Sequence, residues 1–481
     1  VHCRAPQNWT KVLWKKFDLH QTGLTAVNDT PLEIPALRWL RGRQEGHVKP
    51  LKLAPIAFCV SALFPSAQAA DTANIDWSRV PARTLTLFYP GQSTYQWLRS
   101  SEHAGAGLVA GGGACLTCHK GAEEKLGNKL VKPNKLEPTP VEGKNGVLKL
   151  DVQVAYDTEN AYFRFQWKTN ASHPGDSYPF YRFDGKEWKP YGAQKLAAAA
   201  RKGEQPGIYE DRLTMMIDDG KVPAFANQGC WITCHNGERD APGQPTADQV
   251  KASPFFQAIK KNDVRKYLPA SRTDAAASWD KGKSLEELAR LKADGVFLDL
   301  IQWRAHRSNP VGMADDGYVL EWRNFDAGKN PFASNMDPAT KQPKFMYDEK
   351  AIGKKALRIE DLNKVSSVMV PGKSAVAFDP NAGWKEGDLV SQYVVSREGA
   401  AGSAADNKEA KGTWRAGTWT VVWARKLDLT NPDDKVLRAG RAYNFAFAVH
   451  DDNVTSRGHQ VSFPVTVGFG AKAEIEATKL K

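Results

Sequence analysis

Leu148-Lys-Leu-Asp-Val-Gln-Val-Ala155 alternates apolar and polar residues, and Ala161-Tyr-Phe-Arg-Phe-Gln-Trp167 does the same beyond a turn at Asp157–Asn160. A period of two is the pattern of a strand with one face in a core, and the short polar connection makes the two runs a hairpin. Runs of the same kind recur at Arg212–Ile217, Val296–Trp303, Tyr318–Arg323, Ala375–Phe378, Leu389–Val395, Thr413–Ala424, Tyr443–Val449 and Gln460–Val467. Helical patterns are few: Ala193–Lys202 and Ser284–Ala293, the latter with Ser284 as its cap. Many strands with long insertions between them predict a mainly β protein, with a β-sandwich over residues 147–470 and a short tail at 471–481.

Upstream of the sandwich lies a segment of different character, residues 70–146. Leu85–Tyr89 reads as a strand, followed by a Pro90-Gly91 turn. Residues 120–146, rich in Lys, Glu, Pro and Gly, read as a linker. Between them stands Cys115-Leu-Thr-Cys118-His119. Two thiols at this spacing with an imidazole directly after them are what covalent haem attachment requires: the thiols add to the porphyrin vinyl groups, and the histidine becomes the proximal iron ligand. Cys230-Trp-Ile-Thr-Cys234-His235 is a widened copy, with one extra residue between the thiols. The vinyl spacing is fixed, so the backbone must absorb that residue. The expectation is two haem c groups on one chain.

Zinc is the competing reading, since four thiolates can make a tetrahedral site. Against it, the two pairs stand far apart in the sequence and both trailing histidines would go unused. Ligands for the opposite faces of the irons must come from other His, Met or Lys side chains. His103 precedes the first motif across a glycine-rich loop and is the candidate for the first iron. For the second, His450 and His459 are both open, with Met313 and His306 as further candidates.

The N-terminal residues 1–69 read as a leader. Arg41, Arg43, Lys49 and Lys52 precede an apolar stretch, Leu53–Phe64, and then Ser66-Ala67-Gln68-Ala69-Ala70. This is the order of a secretory signal over about residues 46–69, cut after Ala69, with translation expected to begin near residue 45. Two of the six cysteines, Cys3 and Cys59, fall in that leader, so all four remaining thiols belong to the two motifs. The apolar stretch is too short for a stop-transfer helix, and no apolar run reaches membrane-spanning length. The formal charge of +12 includes nine Lys or Arg against four Asp or Glu in the leader. The remainder is mildly basic, which suits an acidic redox partner and gives no sign of nucleic-acid binding.

Three stretches carry a resemblance: Glu210-Asp-Arg-Leu-Thr-Met-Met-Ile217, Leu298-Asp-Leu-Ile-Gln-Trp-Arg304, and Phe445-Ala-Phe-Ala-Val-His-Asp-Asp452 leading to Arg457-Gly-His-Gln-Val-Ser462. With them, residues 148–470 resemble the haem-binding gamma subunit of ethylbenzene dehydrogenase and related molybdenum enzymes. The resemblance implies a haem-binding sandwich that exchanges electrons with a molybdenum subunit and holds a b-type haem through Met and Lys. This chain departs from that pattern. Where the Met would stand it has Cys230, Cys234 and His235, and where the Lys would stand it has His459. It is similar to stand-alone diheme members of the same group.

The leading expectation is therefore a periplasmic diheme c-type cytochrome that passes electrons to a redox partner, an acidic cytochrome or a molybdenum enzyme. A second is a haem oxidoreductase with one open iron position and Arg304, His306 and Arg307 around it. A third is an electron-transfer subunit of a molybdenum enzyme complex. No nucleophile triad or phosphate loop suggests other chemistry.

Overall fold

The alternation is realised as a 14-stranded, almost wholly antiparallel sheet. The computed structural model describes residues 72–480, apart from 142, 170–178, 194–197, 242, 363 and 452–457. The leader expected at 1–69 lies outside the described residues, as do residues 452–457. In chain order the strands are β1 Arg83–Phe88, β2 Val147–Tyr156, β3 Asn160–Lys168, β4 Arg212–Asp218, β5 Leu298–Arg304, β6 Gly317–Val319 and β7 Arg323–Phe325. They continue with β8 Glu409–Arg415, β9 Thr418–Lys426, β10 Arg441–His450, β11 Gln460–Val461, β12 Val465–Phe469, β13 Ile475–Glu476 and β14 Thr478–Lys479. The spatial order is β8-β9-β3-β2-β1-β11-β10-β4-β5-β6-β7, with β12 on β10, β13 on β12 and β14 on β2. The predicted hairpin is β2–β3, in register Val154↔Phe163 and Val152↔Phe165.

The sheet curls back on itself to make its own sandwich. Five strands separate β3 from β5, yet Trp167 of β3 meets Trp303 of β5 edge to face, ring centroids 6.1 Å apart. Phe163, Phe165, Trp167, Trp419 and Trp423 from one half share a core with Met215, Trp303, Phe445 and Phe447 from the other. Fully burying one such phenylalanine contributes roughly 3 kcal/mol, so this aromatic interior is the main force closing the curl.

Three strands are buried on both faces. Leu213, Met215 and Ile217 of β4, Ile301 and Trp303 of β5, and Phe445, Phe447 and Val449 of β10 point into the core. By the two-residue period, their neighbours Thr214 and Met216, Leu300 and Gln302, Ala446 and Ala448 point the other way, where they floor a pocket. Insertions cover this outer face. One carries Pro223–Gln228 and Leu285–Ala293, the latter capped by Ser284 and Glu287 as the sequence suggests. Another builds a small second core around Phe180, Trp188, Tyr347 and Leu389.

Several elements differ from the sequence reading. The 120–146 stretch contains a helix, Glu123–Leu130, rather than a bare linker. It lies so close to the chain entering β2 that a Cβ on Gly127 would fall 2.0 Å from the Gly146 carbonyl oxygen. The Thr413–Ala424 run is a hairpin, β8–β9, reversing at Ala416 and Gly417, both with positive φ. Tyr318–Arg323 likewise divides into β6 and β7. The Gln460–Val467 run splits at Pro464, which has no N–H for the ladder. Of the predicted Ala193–Lys202 helix, Ala198–Arg201 is helical, whereas Ala193 forms an isolated bridge with Gly207.

Candidate functional site

Around the first motif are three short helices, α1 Tyr95–Leu98, α2 Ala106–Ala110 and α3 Leu116–His119. Cys115 caps α3, and a helical turn sets Cys115 and Cys118 on one side of it. Both thiols are half-buried. Burial pushes the Cys115 thiol up to about 11. The Cys115 amide donates to the Asn227 carbonyl at 3.0 Å, which ties the motif to the loop carrying the second one.

His119 and His103 face each other with ring centroids 6.2 Å apart and planes within 19°. His103 Nδ1 lies 2.7 Å from the Leu98 carbonyl oxygen. A carbonyl only accepts, so Nδ1 carries the proton and Nε2 is the basic nitrogen, the arrangement that orients a metal-ligating histidine. Two imidazoles on opposite sides of one metal, each at roughly 2 Å, place their centroids roughly 6 Å apart. The donor set and spacing of this pair fit such a group. Burial, and then His103, hold the His119 pKa below the usual imidazole range.

In the second motif the extra residue is absorbed by a 3-10 turn, Gly229–Thr233, rather than an α-turn. The Thr233 hydroxyl donates to the Cys230 carbonyl at 2.7 Å. Cys230 is buried and Cys234 half-buried; burial pushes the Cys230 thiol up to about 12. Lys266 Nζ stands 2.9 Å from Cys234 Sγ. Burial works against the Lys266 charge, yet Cys234 and Glu238 hold its pKa above the usual range.

His235 is engaged differently from His119. Its Nε2 donates to the Tyr267 carbonyl at 2.9 Å and to Ile232 at 3.1 Å, and its Nδ1 accepts from Gln96 Nε2 at 3.0 Å. The ring stacks on Tyr267 at 3.8 Å. Burial takes its pKa down to about 3, so the imidazole is neutral. To ligate an iron, Nε2 must exchange its two carbonyl contacts.

Cys230, Cys234 and His235 line a pocket of ≈ 390 Å³ whose floor is the outer face of β4, β5 and β10, a size usual for cofactor clefts. His450 and His459 line it too, facing each other across the β10–β11 ladder with ring centroids 4.9 Å apart. His306 and Met313 do not line it; both are fully buried elsewhere. The basic lining includes Arg212, Arg304, Arg307 and Arg323. Glu210 pairs with Arg307, Arg212 and Arg304, and Asp315 with Arg304 and Arg323. Four guanidiniums against two carboxylates leave a positive excess suited to an anionic ligand. Burial, and then Arg304, bring the Arg323 pKa down to about 9.

The two motifs are joined through aromatic rings. His119 lies over Phe463 at 6.3 Å, and Phe463 packs on Trp231 at 5.4 Å and on Phe88 at 5.0 Å. Trp231 sits between the second pair of thiols in sequence, and Cys115 and Cys230 share this cluster. Phe463 is available because Pro464 interrupts the strand next to it, and Pro464 in turn packs on Gly229. Among the described residues no three of the four sulfurs come together as a metal cluster, which removes the single zinc site. Sequence reasoning missed Lys266, Tyr267, Gln96 and Phe463. No local pattern marks them.

A sequence model described as ethylbenzene dehydrogenase matches residues 74–462. The chain belongs to the ethylbenzene dehydrogenase family. The match spans both motifs, so this family member keeps the Cys115–His119 segment and the sandwich in one unit. It is 27% identical over 413 residues to a protein named cytochrome c-552 from Stutzerimonas stutzeri, covering 85% of this chain and 93% of that protein. It is 29% identical over 172 residues to a cytochrome c-551 from Rhodocyclus tenuis, covering 35% of this chain and 58% of that one. No described helix of this family member is long and apolar enough to cross a membrane.

Proposed function

We propose that the chain is an exported, periplasmic diheme c-type cytochrome that transfers electrons. The first haem c is bound through Cys115 and Cys118, with His119 and His103 on the iron. The second is bound through Cys230 and Cys234 in the sheet-floored pocket, with His235 and His459 as ligands and His450 as the alternative. Bound haem supplies a one-electron iron couple, tuned by its ligands and by burial. The protein's own part is to orient His103 through Leu98, to balance anionic groups with the pocket arginines, and to pack Phe463 and Trp231 between the two motifs. That shared aromatic cluster is the observation carrying the reading, because a relay needs its two centres adjacent. The names of both relatives support it. A redox partner, an acidic cytochrome or a molybdenum enzyme, follows from the same reading.

The test is a haem count on protein made in a host that matures c-type cytochromes. Two haems should remain attached after denaturation, by intact mass and pyridine haemochrome assay, and both should be low-spin. One attached haem would remove the second site from the proposal, and none would end it. The second reading, a haem oxidoreductase, is favoured by Arg304 and Arg307 lining the pocket. It requires a high-spin signal that shifts with an added small anion.

A further inference from the structure

Away from both motifs, five aspartates converge where the first residues of β5, the turns flanking β6 and β7, and the β9–β10 loop meet. Carboxylate oxygens of Asp299, Asp316 and Asp434 lie within 4.8 Å of one another, and so do those of Asp326, Asp433 and Asp434. All five residues are more than nine-tenths buried.

Some of these oxygens are accounted for. Arg425 donates to Asp299 Oδ2 at 2.9 Å, and the Lys435 amide adds a second donor at 3.0 Å. Asn431 donates to Asp434, Asn407 to Asp316, and Ser403 with the Ala327 amide to Asp433 Oδ2. The rest are not. Among the described residues, Asp299 Oδ1, Asp433 Oδ1 and Asp434 Oδ1 have no hydrogen-bond partner, and Asp326, 5% exposed, has none on either oxygen. A buried carboxylate with both oxygens unmatched is costly unless a cation meets it. The cations at hand are few. Arg425 is spent on Asp299, Lys292 stands 4.0 Å from Asp433, and the Lys435 ammonium is directed to Asp219 and the Gly295 carbonyl.

We propose that Asp299, Asp316, Asp326, Asp433 and Asp434 form a calcium site. The donor set is all oxygen, which selects a hard cation over zinc or copper. Several carboxylates from separate loops suit the higher, irregular coordination of calcium better than magnesium, which keeps most of its waters. The site pins the β9–β10 loop to the start of β5, whose Leu300, Gln302 and Arg304 floor the pocket.

The experiment is elemental analysis of the purified holoprotein, with thermal unfolding in calcium, in magnesium and in excess chelator. Bound calcium and a melting temperature higher in calcium than in chelator by on the order of 5 °C are expected, with magnesium giving little of the shift. Asp326→Asn should abolish the calcium-dependent shift while itself melting no lower than the wild type in chelator, since it relieves repulsion. Absence of calcium with identical melting in all three conditions overturns the proposal. So does an equal response to magnesium, or an Asp326→Asn protein that keeps the full shift.

Discussion

The two cysteine motifs are near-copies in sequence and opposites in structure. Cys115–His119 sits on one turn of α-helix at the surface, its thiols half-buried and its histidine facing His103. Cys230–His235 sits on a 3-10 turn inside the molecule, its histidine clamped by two carbonyls and a tyrosine ring. The same residue types therefore present two facing imidazoles in one place and an enclosed, arginine-lined pocket in the other. Burial, and not the motif, makes the difference. For a relay it separates an outer centre that a partner can approach from an inner one whose electrostatics the protein controls.

The comparison can be broken most sharply by removing one set of thiols. Cys115→Ser with Cys118→Ser should abolish one of two covalently bound haems and leave the other, counted by pyridine haemochrome after denaturation. Loss of both would show that the sites are not independent. Next in size is packing. Trp231→Ala, in the buried motif between Phe88 and Phe463, should cost about 3–5 kcal/mol in denaturant unfolding. Leu116→Ala, in the half-exposed motif, should cost less than half of that.

Subtler is the ligand pair. His103→Ala should retain both haems and turn one high-spin in the optical spectrum, because the His103 ring faces His119 with centroids 6.2 Å apart. A spectrum still low-spin throughout would transfer the role to another side chain. Smallest of all, Lys135→Met removes the 2.7 Å pair with Glu102, in which both side chains are largely exposed. It should leave the denaturation midpoint unchanged, since ion pairs in solvent contribute little.

The strands were legible because a sheet with a buried face writes its period into the sequence, and β2, β3, β4, β5 and β10 fall close to where the alternation puts them. Turn positions were less so. Ala416 and Gly417 interrupt a run whose apolar alternation continues through both arms of the hairpin. The helix at Glu123–Leu130 was hidden by lysines and a glycine whose use is a close approach to Gly146, a contact no local pattern encodes. At the site, the thiols and trailing histidines were readable from spacing alone. Lys266 beside Cys234, the carbonyls on His235 and the Phe463 bridge were not, because each depends on segments brought together from distant parts of the chain. The sandwich itself was foreseeable, whereas its construction from one curled sheet was not, since the period of two does not say which strands are neighbours.

β1, which precedes the first motif, pairs on one side with β2 and on the other with β11 near the end of the chain, Phe88 opposite Val461. The centre of the sheet thus cannot close until β11 has emerged, and such distant pairings form slowly. Until β11 arrives, neither cysteine motif is enclosed by finished structure. The strand connectivity thus leaves an interval in which the thiols stay within reach of whatever modifies them, and completion of the sheet ends it.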